Sequence, residues 1–144
     1  MTAREFFEDA RRCSARIEEL QFEMAEPAPR GRSRGAVRAP GTSDPTASMA
    51  ERAIDGAAAM AREMLQCQRC VSEALAVIDG VRAAFETPWW RVLELYYIDR
   101  MGWAEVADEM GLSKRTCIRW RDAALQWVDF VGMAHAKRGE GRAV

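Results

Sequence analysis

A chain of 144 residues, of which 49% are hydrophobic and 30% charged, has the composition of a soluble globular protein that is large enough to bury a core. Its formal net charge of −1 and pI of about 5.9 argue against a generally basic coat for nucleic acid, so any affinity for DNA has to come from a few well-placed cations. No apolar run is long enough to span a membrane and no secretion signal opens the chain. We therefore expect a cytoplasmic protein, no membrane partner and reduced cysteines.

The first predicted element is an amphipathic helix over residues 1–24. Thr2 and Glu5 have the spacing of a capping box, in which each side chain binds the backbone N–H of the other residue. Because the other faces are charged, we expect the helix to lay its apolar side on a neighbour. That side repeats every three or four positions, like the seam of a coiled coil: Phe6, Ala10, Cys13, Ile17, Leu20 and Met24.

Residues 25–44 form a predicted linker, because they hold three prolines, three glycines and almost nothing large and apolar. The linker also carries four arginines between Arg30 and Arg38. These arginines form either a basic arm that touches a phosphate backbone or part of a solvated connector, and solvated connectors are the commoner case.

Asp44 as N-cap and Pro45 in the first turn predict a long helix over residues 45–86. At about 1.5 Å per residue it is about 60 Å long, against about 35 Å for the first helix, so the two form an antiparallel hairpin of unequal arms. The apolar face of the long helix that the first helix leaves uncovered has to pack against the C-terminal part of the chain or a second copy of the protein. Gly56 and Gly80 are candidates for bending or close approach. The predicted seam comprises Ala50, Ala53, Ala57, Met60, Met64, Cys67, Val71, Ala74, Ile78, Val81 and Phe85, widened by Leu65, Leu75 and Val77.

Residues 87–138 form a predicted helix-turn-helix domain of several shorter helices, followed by a tail over 139–144, and no stretch has the pattern of a strand. The fold class is therefore all-α. Thr87 and Pro88 start the first of these helices as cap and first turn. Further on, Ala107 and Gly111 have the spacing of a helix-turn-helix unit, in which a small residue lets two helices cross closely and a glycine adopts the positive φ of a tight turn. Ser113 then caps the second helix.

The run from Val92 to Trp120, VLELYYIDRMGWAEVADEMGLSKRTCIRW, resembles the C-terminal DNA-binding domain (region 4) of sigma-70-type RNA polymerase sigma factors. Gly102 and Cys117 depart from the pattern, which usually has a Ser or Thr cap and a β-branched core residue there. The resemblance implies that the second helix enters the major groove of double-stranded DNA. It also implies that six residues of this helix contact DNA, the last of them at the backbone and the others at bases or phosphates. These residues are Lys114, Arg115, Thr116, Ile118, Arg119 and Arg121.

Nothing upstream resembles the aromatic-rich region with which sigma factors melt a promoter, so we do not expect a complete sigma factor. The layout of charged helix, linker, long helix and sigma-like unit is similar to small phage and prophage proteins of the ArpU and RinA type, which are regarded as regulators of late transcription. The sequence thus predicts a sequence-specific DNA-binding regulator of phage or prophage origin, acting as a homodimer through the long helix or with help from RNA polymerase.

Other classes of protein stay open or are disfavoured. The helical seam suits an interaction module that binds RNA polymerase or another regulator. A phage small-terminase-like DNA-packaging protein is a further alternative, because such a protein also pairs a helix-turn-helix with a coiled coil. An enzyme is not expected, because acidic residues such as Asp108 and Glu109 occupy ordinary exposed helical positions. Cys67 and Cys70 have the C-x-x-C spacing of a zinc or redox pair but lie mid-helix without a second pair, so we expect packing roles and neither metal nor cofactor.

Overall fold

The computed structural model describes residues 1–25 and 43–140, with residues 43–48 described by their backbone alone. Within these ranges the chain is helical apart from turns and short connections, which confirms the all-α class for that part. The basic linker from Arg30 to Arg38 and the last four residues lie outside it. The helices are α1 (Ala3–Ala25), α2 (Ser43–Ala84), α3 (Trp89–Leu93) with a π-helical turn (Glu94–Ile98) directly after it, α4 (Trp103–Met110), α5 (Lys114–Val131) and α6 (Met133–Lys137).

Helix α1 begins with the predicted capping box. The Thr2 N–H donates to Glu5 Oε2 at 2.9 Å, and the Glu5 N–H donates to Thr2 Oγ1 at 3.1 Å. Two of the free N–H groups at the helix start are thereby satisfied by side chains.

The buried side of α1 differs from the predicted seam. Phe7 is fully buried and Phe6 only half-buried, whereas the spacing places Phe6 in the seam; Met24 is 51% exposed. A seam assumes one partner helix, but α1 contacts α2, the π-helical turn and α5, and this broader contact shifts its buried side. The fully buried residues of α1 are Ala3, Phe7, Ala10 and Leu20.

Helix α1 runs antiparallel to part of α2. The Arg16 guanidinium donates to the two carboxylate oxygens of Glu63 at 2.7 and 3.0 Å. Earlier in α1, the Cys13 thiol lies within hydrogen-bonding reach of Cys67 and Cys70, which come later in α2. Since α1 has 23 residues and α2 has 42, α1 covers only part of its partner.

A stretch in the N-terminal half of α2 is exposed to solvent. Every residue from 49 to 59 is exposed, including the predicted seam positions Ala50, Ala53 and Ala57. Leu65 and Leu75 are 60% and 37% exposed, so the prediction that they widen the packed face is wrong for this chain. The main hydrophobic core meets α2 farther along the helix, at residues such as Ile78 and Gly80. The buried residues of α2 are Cys67, Ala74, Val77, Ile78, Gly80, Val81 and Ala84.

Two predicted helix starts are shifted, that of α2 by two residues and that of α3 by one. Helix α2 begins at Ser43, so Asp44 lies inside it and is not its cap. Helix α3 begins at Trp89 with Pro88 as the preceding residue, and no side chain caps it. The Trp89 N–H instead donates to the Thr87 carbonyl oxygen at 2.7 Å, which makes a tight turn before the helix. Helix ends are the least sharply encoded part of an element.

One hydrophobic core is shared by helices from both halves of the chain. Helix α6 lies directly on α2 at Gly80, where a Cβ atom would come within 1.5 Å of the Ala136 carbonyl oxygen. The expectation of close approach at Gly80 is thus confirmed. In the described part of the chain, no helix has the length and apolar character needed to span a membrane. The core draws on five helices, for example through Phe7, Ile78, Leu93, Trp127 and Ala136.

Candidate nucleic-acid interface

Helices α4 and α5 are joined by a short turn whose backbone hydrogen bonds are satisfied. Gly111 has φ 69°, the left-handed conformation that the sequence predicts for this glycine. The Leu112 N–H donates to the Ala107 carbonyl oxygen at 3.0 Å, and the Gly111 N–H donates to that of Asp108 at 3.3 Å. This pair of bonds is the Schellman motif, which ends α4 and fixes the direction of the chain into α5.

Side chains cap the starts of both helices to different extents. Ser113 Oγ accepts from the Thr116 N–H at 3.1 Å, so the predicted cap of α5 is confirmed. At the start of α4 the Gly102 N–H donates to Glu105 Oε1 at 3.4 Å. Because glycine has no side chain, only this half of a capping box can form.

A small core behind the turn holds α4 and α5 against the π-helical turn. Ala107 is 7% exposed, and its small side chain lets the helices approach closely, as predicted. The Cys117 thiol is fully buried, and burial raises its pKa, so it packs as a neutral apolar group. The fully or largely buried members of this core are Val92, Leu95, Val106, Ala107 and Cys117.

The first two turns of α5 present cations to solvent. Lys114, Arg115 and Arg119 are exposed, and none of them forms an ion pair with any residue that the structure describes. Ile118 and Thr116 are half-buried beside them, and the Thr116 hydroxyl accepts from Ser113 Oγ at 2.9 Å. The structure therefore brings five of the six predicted contact residues together at the start of one helix. We call Lys114, Arg115, Ile118 and Arg119 the α5 face.

Arg121 is set apart from the α5 face. Its side chain is only 11% exposed; Nε donates to Asp122 Oδ1 at 2.7 Å and Nη1 donates to Tyr97 Oη at 3.4 Å. The guanidinium carbon also lies 5.1 Å from the centre of the Trp103 ring. Burial raises the pKa of the Tyr97 phenol, which therefore stays neutral beside this cation. Arg121 thus ties α5 to its neighbours, and the structure does not present it to a ligand.

Comparisons of the chain with family models, curated proteins and solved structures found no match. Function is therefore inferred from the residues of the chain itself.

A stack of two aromatic rings between two guanidinium groups links α1 to the start of α4. The Arg11 guanidinium lies 4.2 Å from the centre of the Tyr96 ring, and Tyr96 stacks on Trp103 at 4.1 Å with an interplanar angle of 13°. Arg121 lies over Trp103 as the last member. Sequence reasoning missed this stack because its members are up to 110 positions apart. In the sequence, the only indication of such a stack is the frequency of aromatic residues and arginines.

The cysteines that the sequence singles out as a possible zinc or redox pair have structural roles. Burial raises the pKa of Cys67 to about 11, and it also raises the pKa of Cys13, so both thiols are protonated near neutral pH. Among the described residues, no group of three or more His, Cys, Asp or Glu side chains is arranged to hold a metal ion. What the C-terminal helices offer a ligand is therefore a short, rigidly held set of exposed cations, which suits an anionic surface.

Proposed function

We propose that this protein is a sequence-specific DNA-binding transcriptional regulator of phage or prophage origin. In this proposal α4, the turn and α5 form a sigma region 4-like helix-turn-helix unit, and α5 is the helix that enters the major groove. The observation that carries the proposal is that Lys114, Arg115 and Arg119 are exposed, form no ion pair within the described residues and lie on a helix whose start is capped by Ser113.

The lack of ion-pair partners matters because a cation that already binds a carboxylate has to give it up before it can bind a phosphate. Other arginines of the chain are engaged in this way, including Arg4, Arg16, Arg91, Arg100 and Arg138. The cations of the α5 face have no such partner among the described residues, so they can neutralise phosphates and reach base edges. A bidentate contact from arginine to guanine is worth about 1–3 kcal/mol of discrimination against the wrong base.

The role of Arg121 in this proposal is different from the one that the family resemblance implies. Because its guanidinium binds Asp122 and Tyr97, it supports the orientation of α5 and does not contact the DNA backbone. The sequence contacts come from the α5 face, with Thr116 acting through the cap of the helix.

The proposal is tested by selecting bound duplexes from a random DNA pool with the full chain. A regulator of this kind enriches one sequence pattern. Binding without enrichment fits instead a DNA-packaging protein of the small-terminase type, and no binding at all favours the second candidate below.

The second candidate is a protein-interaction module that binds RNA polymerase or another regulator. It is favoured by an apolar depression of about 470 Å³ beside Phe130, a side chain that is 87% exposed. Phe85, Trp89 and Trp127 line this depression with their rings. Exposed apolar surface of this kind is typical of binding sites for proteins.

We further propose that the protein binds DNA as a homodimer, because three cations on one unit give few phosphate contacts. The exposed half of α2 is the proposed contact surface. Ile54 and Leu65 are 68% and 60% exposed and lie eleven positions apart, which places them on the same side of the helix. Ala58 and Ala61 lie between them on that side and are also exposed, so a second helix can approach closely.

The dimer predicts a mass of two chains by light scattering at micromolar concentration. Replacing Ile54 and Leu65 with lysine should give a monomer, because four charges would then have to be buried across the two-fold interface. The matched control replaces Ala59 and Gln66, which are exposed on other sides of the same stretch, with lysine and should stay dimeric. A wild-type chain that is monomeric at these concentrations would contradict the dimer.

A further inference from the structure

A depression of about 470 Å³ lies between α1 and the residues around the π-helical turn, outside the α5 face. Its volume is within the range of sites for small molecules. Three of its six lining residues are arginines and only one is acidic: Glu8, Arg11, Arg12, Ala15, Tyr96 and Arg100. This composition favours an anionic ligand.

Arg100 has an unusual backbone conformation at the edge of this depression. Its φ is 58°, and it is the only non-glycine residue with positive φ in the part of the chain that the structure describes. A long side chain seldom adopts this left-handed conformation, which persists only where surrounding contacts enforce it and is frequent at functional sites. Here it follows the π-helical turn and accompanies contact of the Arg100 side chain with Glu18 of α1.

The Arg100 guanidinium is only partly satisfied by the protein. Nη2 forms an ion pair with Glu18, whose side chain is 66% exposed. Nε is buried without a hydrogen-bond partner, and it is the only such side-chain nitrogen or oxygen among the described residues. Nε and Nη2 form one edge of the guanidinium, and this edge matches two oxygens of one phosphate or carboxylate group. An oxyanion that displaces the exposed Glu18 carboxylate can therefore bind both atoms.

Tyr96 restricts what else the ligand can be. The Arg11 guanidinium covers one face of its ring and Trp103 stacks on the ring, so a flat aromatic ligand has no free face there. Arg11 also donates to Tyr96 Oη at 3.3 Å, which uses one of its five N–H groups. Within the described part of the chain, Arg12 pairs only with Asp9, and its side chain is largely exposed. The three arginines therefore retain donors for a compact anion with several oxygens.

We propose that this depression binds a phosphate group, held by the Nε and Nη2 edge of Arg100 with Arg11 and Arg12 neutralising its charge. Glu18 is the internal competitor that occupies part of the edge when no phosphate is bound. This phosphate group belongs either to a small molecule or to the DNA backbone, since both present the same oxygens to the arginines. This proposal does not depend on whether α5 binds DNA.

The test is a titration of the full chain with inorganic phosphate at constant ionic strength, followed by NMR of the arginine Nε–H groups. In the wild type, the Arg100 Nε–H resonance should shift and saturate. Arg100→Gly should weaken phosphate binding at least tenfold while keeping the fold, because glycine adopts positive φ without strain. Glu18→Gln should strengthen binding severalfold, because the competing carboxylate is removed.

The matched control is Arg52→Gln, which removes one exposed cation from the far half of α2 and should leave phosphate affinity within twofold. No saturable shift in the wild type, or an Arg100→Gly chain that binds phosphate as the wild type does, would overturn the proposal. Thermal unfolding of each variant verifies that it is folded. Binding of duplex DNA then identifies the source: a loss in Arg100→Gly assigns the phosphate to the DNA backbone, and unchanged duplex binding assigns it to a small molecule.

Discussion

Replacing Arg115 and Arg119 with glutamate should abolish binding of duplex DNA by the full chain without unfolding it. Both side chains are exposed and form no ion pair within the described residues, so the fold does not depend on their charge. The double reversal removes two cations from the α5 face and adds two anions that repel phosphates. Two lost contacts of about 1–3 kcal/mol each weaken binding by about 30-fold or more, before the added repulsion. A gel-shift titration measures the effect.

The control for this variant is the reversal of Arg52 and Arg62, which are also exposed and without an ion-pair partner in the described part of the chain. It makes the same change in net charge on α2, away from α5. We expect this control to retain most of the duplex affinity. Equal losses in both variants would mean that only net charge matters, and unchanged binding in the first would remove the α5 face from the interface. Circular dichroism verifies the helical content of each.

The parts of the structure that the sequence predicted well are those encoded by neighbouring residues. The capping box at Thr2 and Glu5, the positive φ of Gly111 and the Ser113 cap each depend on residues within one turn of helix. Such signals act through local hydrogen bonds and steric limits, so they need no knowledge of the rest of the chain. The exposed cations of the α5 face follow from the same local register.

The parts that the sequence did not predict depend on which surfaces meet. The seam of α2 looks equally regular along its length, but the side chains of α2 that the structure describes as buried all lie at or beyond Cys67, and those in the main core lie at or beyond Ala74, where several helices meet. Arg121 has the same charge as Arg119 and lies two positions away, yet it points to Tyr97 and Asp122. The positive φ of Arg100 leaves no trace in the sequence, because an arginine does not mark the point where the chain leaves the π-helical turn and the Met101 N–H donates to the Leu95 carbonyl oxygen at 2.9 Å.

Replacing Gly80 with alanine should destabilise the protein or detach α6 from α2. A Cβ atom at this position would lie 1.5 Å from the Ala136 carbonyl oxygen and 2.6 Å from the carbonyl carbon. These are backbone atoms, so no side chain can rotate away and α6 itself has to move. Overpacking of this kind lowers the free energy of unfolding by about 1–3 kcal/mol or more, which exceeds the gain of about 1 kcal/mol that alanine brings to a helix.

Gly56→Ala is the matched control, because Gly56 lies in the same helix and a Cβ placed there would meet no atom of another element in the described part of the chain within 4 Å. We expect it to raise the free energy of unfolding by up to about 1 kcal/mol, since only the helix preference changes. Chemical denaturation measures both variants, and hydrogen exchange at the amides of α6 tells global destabilisation from local detachment. If Gly80→Ala unfolds like Gly56→Ala and its α6 amides stay protected, α6 does not pack on α2 at this glycine. The shared core would then lose Ala136, and the C-terminal part of the chain would be held to α2 mainly through α3 and the π-helical turn.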